Sequence, residues 1–129
     1  MKSGYLSHRC TIGDSTYSQH IIYIDNISKS ICSVEAFNGE TPHTIFCDGW
    51  LIAFAPTIDE DLTLFVKSLQ QQFIDNPTLT ITEALNENSL YAKHRATIGA
   101  TCHIYSIPSV DWSRMQPTSA SSLQLHKIL

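Results

Sequence analysis

Positive charge is scarce in this chain: 8 Lys and Arg stand against 12 Asp and Glu, a formal net charge of −4. A phosphate backbone demands a basic excess, so no nucleic-acid partner is expected. Long apolar runs are missing too. The longest, Trp50 to Ala55 with its flanks, is far short of the roughly 20 residues that span a bilayer, and no membrane association is expected. Met1 to Arg9 carries neither an apolar core nor a small-residue cleavage site, which predicts a cytoplasmic location. The 5 glycines are scattered singly and form no phosphate-cradling loop. The 4 cysteines, Cys10, Cys32, Cys47 and Cys102, include no CxxC pair, so buried reduced thiols are expected rather than a disulfide framework. With no CxxC, HxxxH or GxSxG spacing, neither a metal, a cofactor nor a serine nucleophile is expected.

What is present suffices for a core. Ile, Leu, Val and Phe make up about a quarter of the 129 residues, above the roughly 20% below which chains stay disordered. At roughly 150 residues per domain the expectation is a single globular domain over residues 1–116, with 117–129 a Ser-rich linker and short apolar tail.

Alternation marks the first half as β. Tyr5 to Ile12 reads as one half-buried strand, with Leu6, His8, Cys10 and Ile12 on one face. After a turn at Gly13-Asp14-Ser15, strands follow at Ser18–Ile24 and Ser30–Phe37. Asn38-Gly39 and Asp48-Gly49 are tight-hairpin dipeptides that flank a strand at His43–Cys47. Trp50 to Ala55 is apolar at every position and is expected at the centre of the sheet or covered on both sides. These strands compose an antiparallel meander.

A helix is predicted from Thr57 to Asp75. Thr57 and Glu60 have capping-box spacing, and Leu62, Phe65, Val66, Leu69 and Phe73 form one apolar stripe. Asp59, Glu60 and Asp61 suit the positive end of the helix dipole, so capping explains the acidic cluster and Asp61→Ala is expected to do little. Residues 78–90 stay open between a β-branched strand and a short helix capped by Thr80-x-x-Glu83. Tyr91 to Ile107 reads as a long strand bent at Gly99. The fold class is therefore α+β, a mostly antiparallel six- or seven-stranded sheet with one long amphipathic helix on a face.

One echo recurs: His8-Arg9-Cys10-Thr11-Ile12-Gly13 and His94-Arg95-Ala96-Thr97-Ile98-Gly99 agree at five of six positions. It is explained by two strands with the same packing problem, by chance among Thr- and Ile-rich strands, or by adjacent strands that present His8 and His94 on one face and Arg9 and Arg95 on the other. In the last case the arginines are candidates to hold a small anionic ligand. His43 and Cys47 make the best thiol candidate, although Asp48 beside Cys47 would raise rather than lower its pKa.

The stretch Asp48-Gly49-Trp50 through Pro56-Thr57-Ile58-Asp59 resembles the end of the small β domain that precedes the barrel in amidohydrolase-type metal-dependent hydrolases. There a segment ending Pro-Gly-Phe-Ile-Asp precedes a metal-binding His-x-His. Here Glu60, Asp61 and Leu62 follow instead, and 129 residues cannot contain a barrel of about 250. The resemblance implies only the non-catalytic domain, and no catalytic residue transfers. The expected function is a small interaction or ligand-binding module working as a homo-oligomer, because one helix cannot cover both faces of a meander. The alternative is a small metal- or thiol-dependent hydrolase built on His and Cys residues of the sheet.

Overall fold

The computed structural model describes residues 1–39 and 43–129. In chain order it contains β1 (Lys2–Leu6), β2 (Arg9–Ile12), β3 (Ser15–Ser18), β4 (His20–Asp25), β5 (Ile31–Ala36), β6 (Thr44–Phe46) and β7 (Trp50–Phe54), then the helices α1 (Ile58–Asp75), α2 (Ile81–Glu87) and α3 (Ser89–His94), and finally β8 (His103–Ile107), β9 (Val110–Asp111), β10 (Gln116–Pro117) and β11 (His126–Lys127). The protein is α+β and its strand pairs are mostly antiparallel. The single meander is corrected to two sheets, of order β5-β4-β1-β6 and β11-β8-β7-β2-β3, beside a β9–β10 ribbon. The one long helix is corrected to three helices.

The central strand explains the layering. Along β7, Leu51 and Ala53 join Cys10, Ile12, Ile22, Ile24, Ile31 and Ile104 in a core between the two sheets. Trp50, Ile52 and Phe54 face the other way, into a core with α1, α2 and α3. Every residue of β7 is buried, as its all-apolar sequence predicts, and its backbone is paired on both sides, with β2 and β8. The four-stranded sheet, the five-stranded sheet and the helices thus form three layers, and the second sheet covers the face the meander would have left bare.

Continuous alternation hid where the chain changes sheets. Tyr5 and Cys10 both border the inter-sheet core, an odd spacing that one straight strand cannot give. The chain breaks at Ser7-His8, where the Ser7 hydroxyl donates to the Arg9 carbonyl. The expected strand Ser18–Ile24 also breaks, at Gln19, whose φ is +52°. Neither the Asn38-Gly39 nor the Asp48-Gly49 stretch joins paired strands, because β6 lies parallel to β1 and β7 parallel to β2. Those two parallel pairs are one ribbon that crosses from sheet to sheet, and Cys47 N–H donates to the Leu6 carbonyl (2.7 Å) at the crossing. Gly49 makes its half of the turn at φ +93°, and a Cβ there would collide with the Ile107 carbonyl oxygen.

The helices follow local chemistry more faithfully. Thr80 and Glu83 form the full capping box, which resolves 78–90 in favour of helix. The expected strand from Tyr91 is instead α3: the Asn88 side chain caps it by accepting from Tyr91 N–H, while its amide donates to Ser68 (2.9 Å) and Gln72 (2.8 Å) on α1. Buried Asn88 therefore fastens α3 to α1 with all its donors used. Residues 117–129, read as linker and tail, are folded onto the second sheet: β11 pairs with β8, Leu123 is buried in the helical core, and the Leu129 carbonyl accepts from Ile104 N–H. No helix among the described residues is long and apolar enough to cross a membrane.

Phe65 is fully buried and meets Phe54 edge to face at 5.2 Å between centroids. Truncating such a side chain costs about 3 to 5 kcal/mol against a total of about 5 to 15 kcal/mol. Phe65→Ala is expected to lower the melting temperature by ten degrees or more on the order-of-magnitude scale of 4–8 °C per kcal/mol for small domains. A thermal scan that left it unmoved would remove α1 from the core.

Candidate functional site

The residues singled out from the sequence do not converge. Arg9 pairs opposite Trp50, and its Nη1 donates to the His8 carbonyl (3.0 Å) and the Ser18 hydroxyl (2.6 Å). Arg95 bridges Phe54, at the other end of β7, and is exposed. The adjacent-strand explanation of the echo is thus overturned: His8 is exposed at a sheet crossing, whereas His94 closes a helix and is buried. No shared anion site forms between the arginines. His43 is exposed at φ +56°, while Cys47 is buried, its thiol pushed up by burial and then by Asp48. This thiol is not an activated one.

His94 finds a different environment, at the start of α1. Its Nε2 stands 2.7 Å from Asp61 Oδ2 and its Nδ1 2.8 Å from Thr57 Oγ1. Thr57 accordingly makes no side-chain cap to its own helix, correcting the expected capping box. Lys93 adds a second cation, 3.4 Å from Asp61. These contacts, His94 foremost and then Lys93, hold the Asp61 carboxyl below the usual carboxylate range.

Asp59 points to the other flank of the same turn. It accepts from the Tyr105 hydroxyl (2.6 Å) and from Lys127 (3.3 Å). His103 Nδ1 is 3.1 Å away, at ion-pair distance but off the hydrogen-bonding direction. Tyr105 first, with His103 and Lys127, lowers the Asp59 carboxyl, and burial together with Asp59 raises the Tyr105 hydroxyl. The acidic cluster is therefore more than a helix start. Thr57, Asp59 and Asp61 are the residues the sequence reading missed; the signal was a run of acids beside a Thr with two histidines elsewhere, but its partners are 32 to 68 residues away in the chain.

A second locus lies where the chain changes sheets. Leu6, Ser7, His8, Gln19, Phe37 and Phe46 line an open cavity of about 220 Å³. Phe46 is 54% and Phe37 41% exposed. His8 meets Phe46 edge to face at 5.6 Å and Trp112 at 5.3 Å, and Trp112 stacks on Trp50 at 6.1 Å. Aromatic contacts thus run from the buried central strand to this corner. Among the described residues no three His, Cys, Asp or Glu side chains gather closely enough to hold a metal ion.

Fold and sites together define a three-layer α+β protein with an aromatic corner on one sheet and a hydroxyl–imidazole–carboxylate cluster under its longest helix. Comparison with known proteins found no matching family model, no matching curated protein and no matching solved structure.

Two outcomes follow from these environments. A carboxyl whose pKa is lower folded than unfolded stabilises the fold above the unperturbed aspartate value, about 3.9, and that stabilisation is lost as pH falls through the folded value. Melting temperature against pH should therefore fall steeply below about pH 4 in the native chain and less steeply in the double variant Asp59→Asn, Asp61→Asn. Parallel curves would show that the pairs contribute nothing. Burial raises the Cys10 thiol to about 12 and the Cys102 thiol to about 11, whereas Cys32, contrary to the expectation of four buried thiols, is exposed. Ellman titration of the folded protein should find one fast thiol, lost in Cys32→Ser, and three that wait for unfolding.

Proposed function

We propose that this chain is a small binding module that associates with copies of itself through the corner lined by Leu6, His8, Phe37 and Phe46. The observation that carries the reading is the open apolar cavity with two large aromatic side chains left exposed at its rim. At about 220 Å³ it is smaller than the roughly 300–1,000 Å³ of most small-molecule pockets. It suits one apolar side chain of a protein partner, the usual anchor of an interface. A second copy brings that side chain in Phe46 itself, on the edge strand β6, and a two-fold contact places the same patch on both sides.

The hydrolase alternative draws little support from the surroundings of its residues. The stretch that resembles the amidohydrolase β domain, residues 48–59, forms β7 and the start of α1, and Cys47 lacks the activation a thiol hydrolase needs. The four free thiols suit a reducing compartment such as the cytoplasm.

Light scattering at micromolar concentration is the test. The native chain should run at a multiple of 14.4 kDa, and Phe46→Ser, which removes an exposed side chain, should give the monomer with its melting temperature unchanged or nearly so. A native mass of 14.4 kDa, or an oligomer indifferent to Phe46→Ser and Phe37→Ser, would defeat the proposal.

A further inference from the structure

Thr57, His94 and Asp61 lie in the order hydroxyl, imidazole, carboxylate. Thr57 closes the turn between the central strand β7 and α1, on the surface. His94, 3% exposed, arrives from α3 and is held from both ends, 2.8 Å from the hydroxyl and 2.7 Å from the carboxylate. Asp61 is ionised at neutral pH, as an aspartate with an unperturbed value of about 3.9 already is, and His94 and then Lys93 hold its carboxyl lower still. Facing that anion, Nε2 carries the proton, and in the neutral imidazole the Nδ1 lone pair then faces Thr57. In that tautomer the Thr57 hydroxyl is the donor. A hydroxyl that donates to an imidazole oriented by a third group is the arrangement that activates a nucleophile.

The surroundings set what such a hydroxyl can attack. The N–H groups of Asp59 and Glu60 are engaged by the carbonyls of Pro56 (3.3 Å) and Thr57 (3.2 Å), so they are not free to receive an oxyanion. Thr57 is also exposed to solvent. Both points select a small, unhindered electrophile that carries a good leaving group of its own.

We propose that Thr57 is an activated nucleophile that accepts acyl or phosphonyl groups from small activated donors, with His94 as its base and Asp61 as the positioning residue. With an activated ester, the Thr57 Oγ–carbon bond forms and the bond from that carbon to the leaving oxygen breaks; the hydroxyl proton passes to His94 Nδ1 and then to the departing oxygen. With a fluorophosphonate, the Oγ–phosphorus bond forms, fluoride leaves, and the proton passes through the same imidazole to solvent. The site is remote in sequence and in role from the aromatic corner, so the two proposals stand or fall separately.

The intact chain treated with a fluorophosphonate probe, digested and mapped by mass spectrometry, provides the test. Thr57 should carry the adduct, Thr57→Val should lose it, and Thr57→Ser should keep it or gain, since both exchanges are made on the surface. Asp61→Asn should label at least tenfold more slowly, because an amide facing Nε2 favours the other tautomer, and that exchange costs orders of magnitude in such a line. Nitrogen NMR of the His94 ring reads the tautomer directly: the proton should sit on Nε2 in the native chain and on Nδ1 in Asp61→Asn. Absence of an adduct at Thr57, labelling of surface hydroxyls at random, or an Asp61→Asn rate equal to that of the native chain would overturn the proposal.

Discussion

A strand buried on both faces leaves the chain few choices. Once β7 occupies the middle of its sheet, its N–H and C=O groups need neighbours on both edges, because unpaired backbone groups in a dry interior are costly. Its two apolar faces need two separate covers. The neighbours are β2 and β8, and the covers are the four-stranded sheet and the helices. Most other features are ways of meeting these four demands at once.

The paired crossing is the main one. By bending β1–β2 and β6–β7 together, the chain uses the same two lengths of polypeptide to build the cover and to supply β7 and its β2 neighbour. The bend has a steric requirement at Gly49, where β8 passes too close for a side chain. It also has a consequence at the surface. Where Ser7-His8 and Gln19 carry the chain between sheets, neither sheet can close over the corner, and Leu6, His8, Phe37 and Phe46 line a cavity there. The corner is a by-product of the topology that buries Trp50 to Phe54.

The first turn of α1 belongs to the same economy of packing. The helix must start close above the end of β7, and α3 and β8 close in on it from either flank. Of the three carboxylates placed there by helix-dipole preference, Asp59 and Asp61 meet two histidines, a tyrosine and two lysines brought by other elements. Buried imidazole is stable only with partners for its ring nitrogens, and Thr57 and Asp61 provide them. A residue that serves as a helix cap in sequence terms thereby becomes part of a side-chain network in three dimensions.

The sequence by itself determined what depends on near neighbours in the chain: the α+β class, the all-apolar strand at Trp50 to Phe54 and its central position, the stripe of Phe65, Leu69 and Phe73, and the box at Thr80 and Glu83. Each of these rests on periodicity or capping within a few residues. Only the tertiary structure decided which sheet each strand joins, because alternation continues unbroken through Ser7-His8 while the chain turns there, and a period of two reports a face without naming its partner. For the same reason the echo of His8-Arg9 in His94-Arg95 carried no spatial meaning: one copy contains the strand β2 and the other begins at the end of a helix. Thr57, Asp61 and His94 were visible as residue types, but their junction spans 33 to 37 residues of chain, and long-range proximity is set by the packing of α1, α3 and β7 rather than by any local pattern.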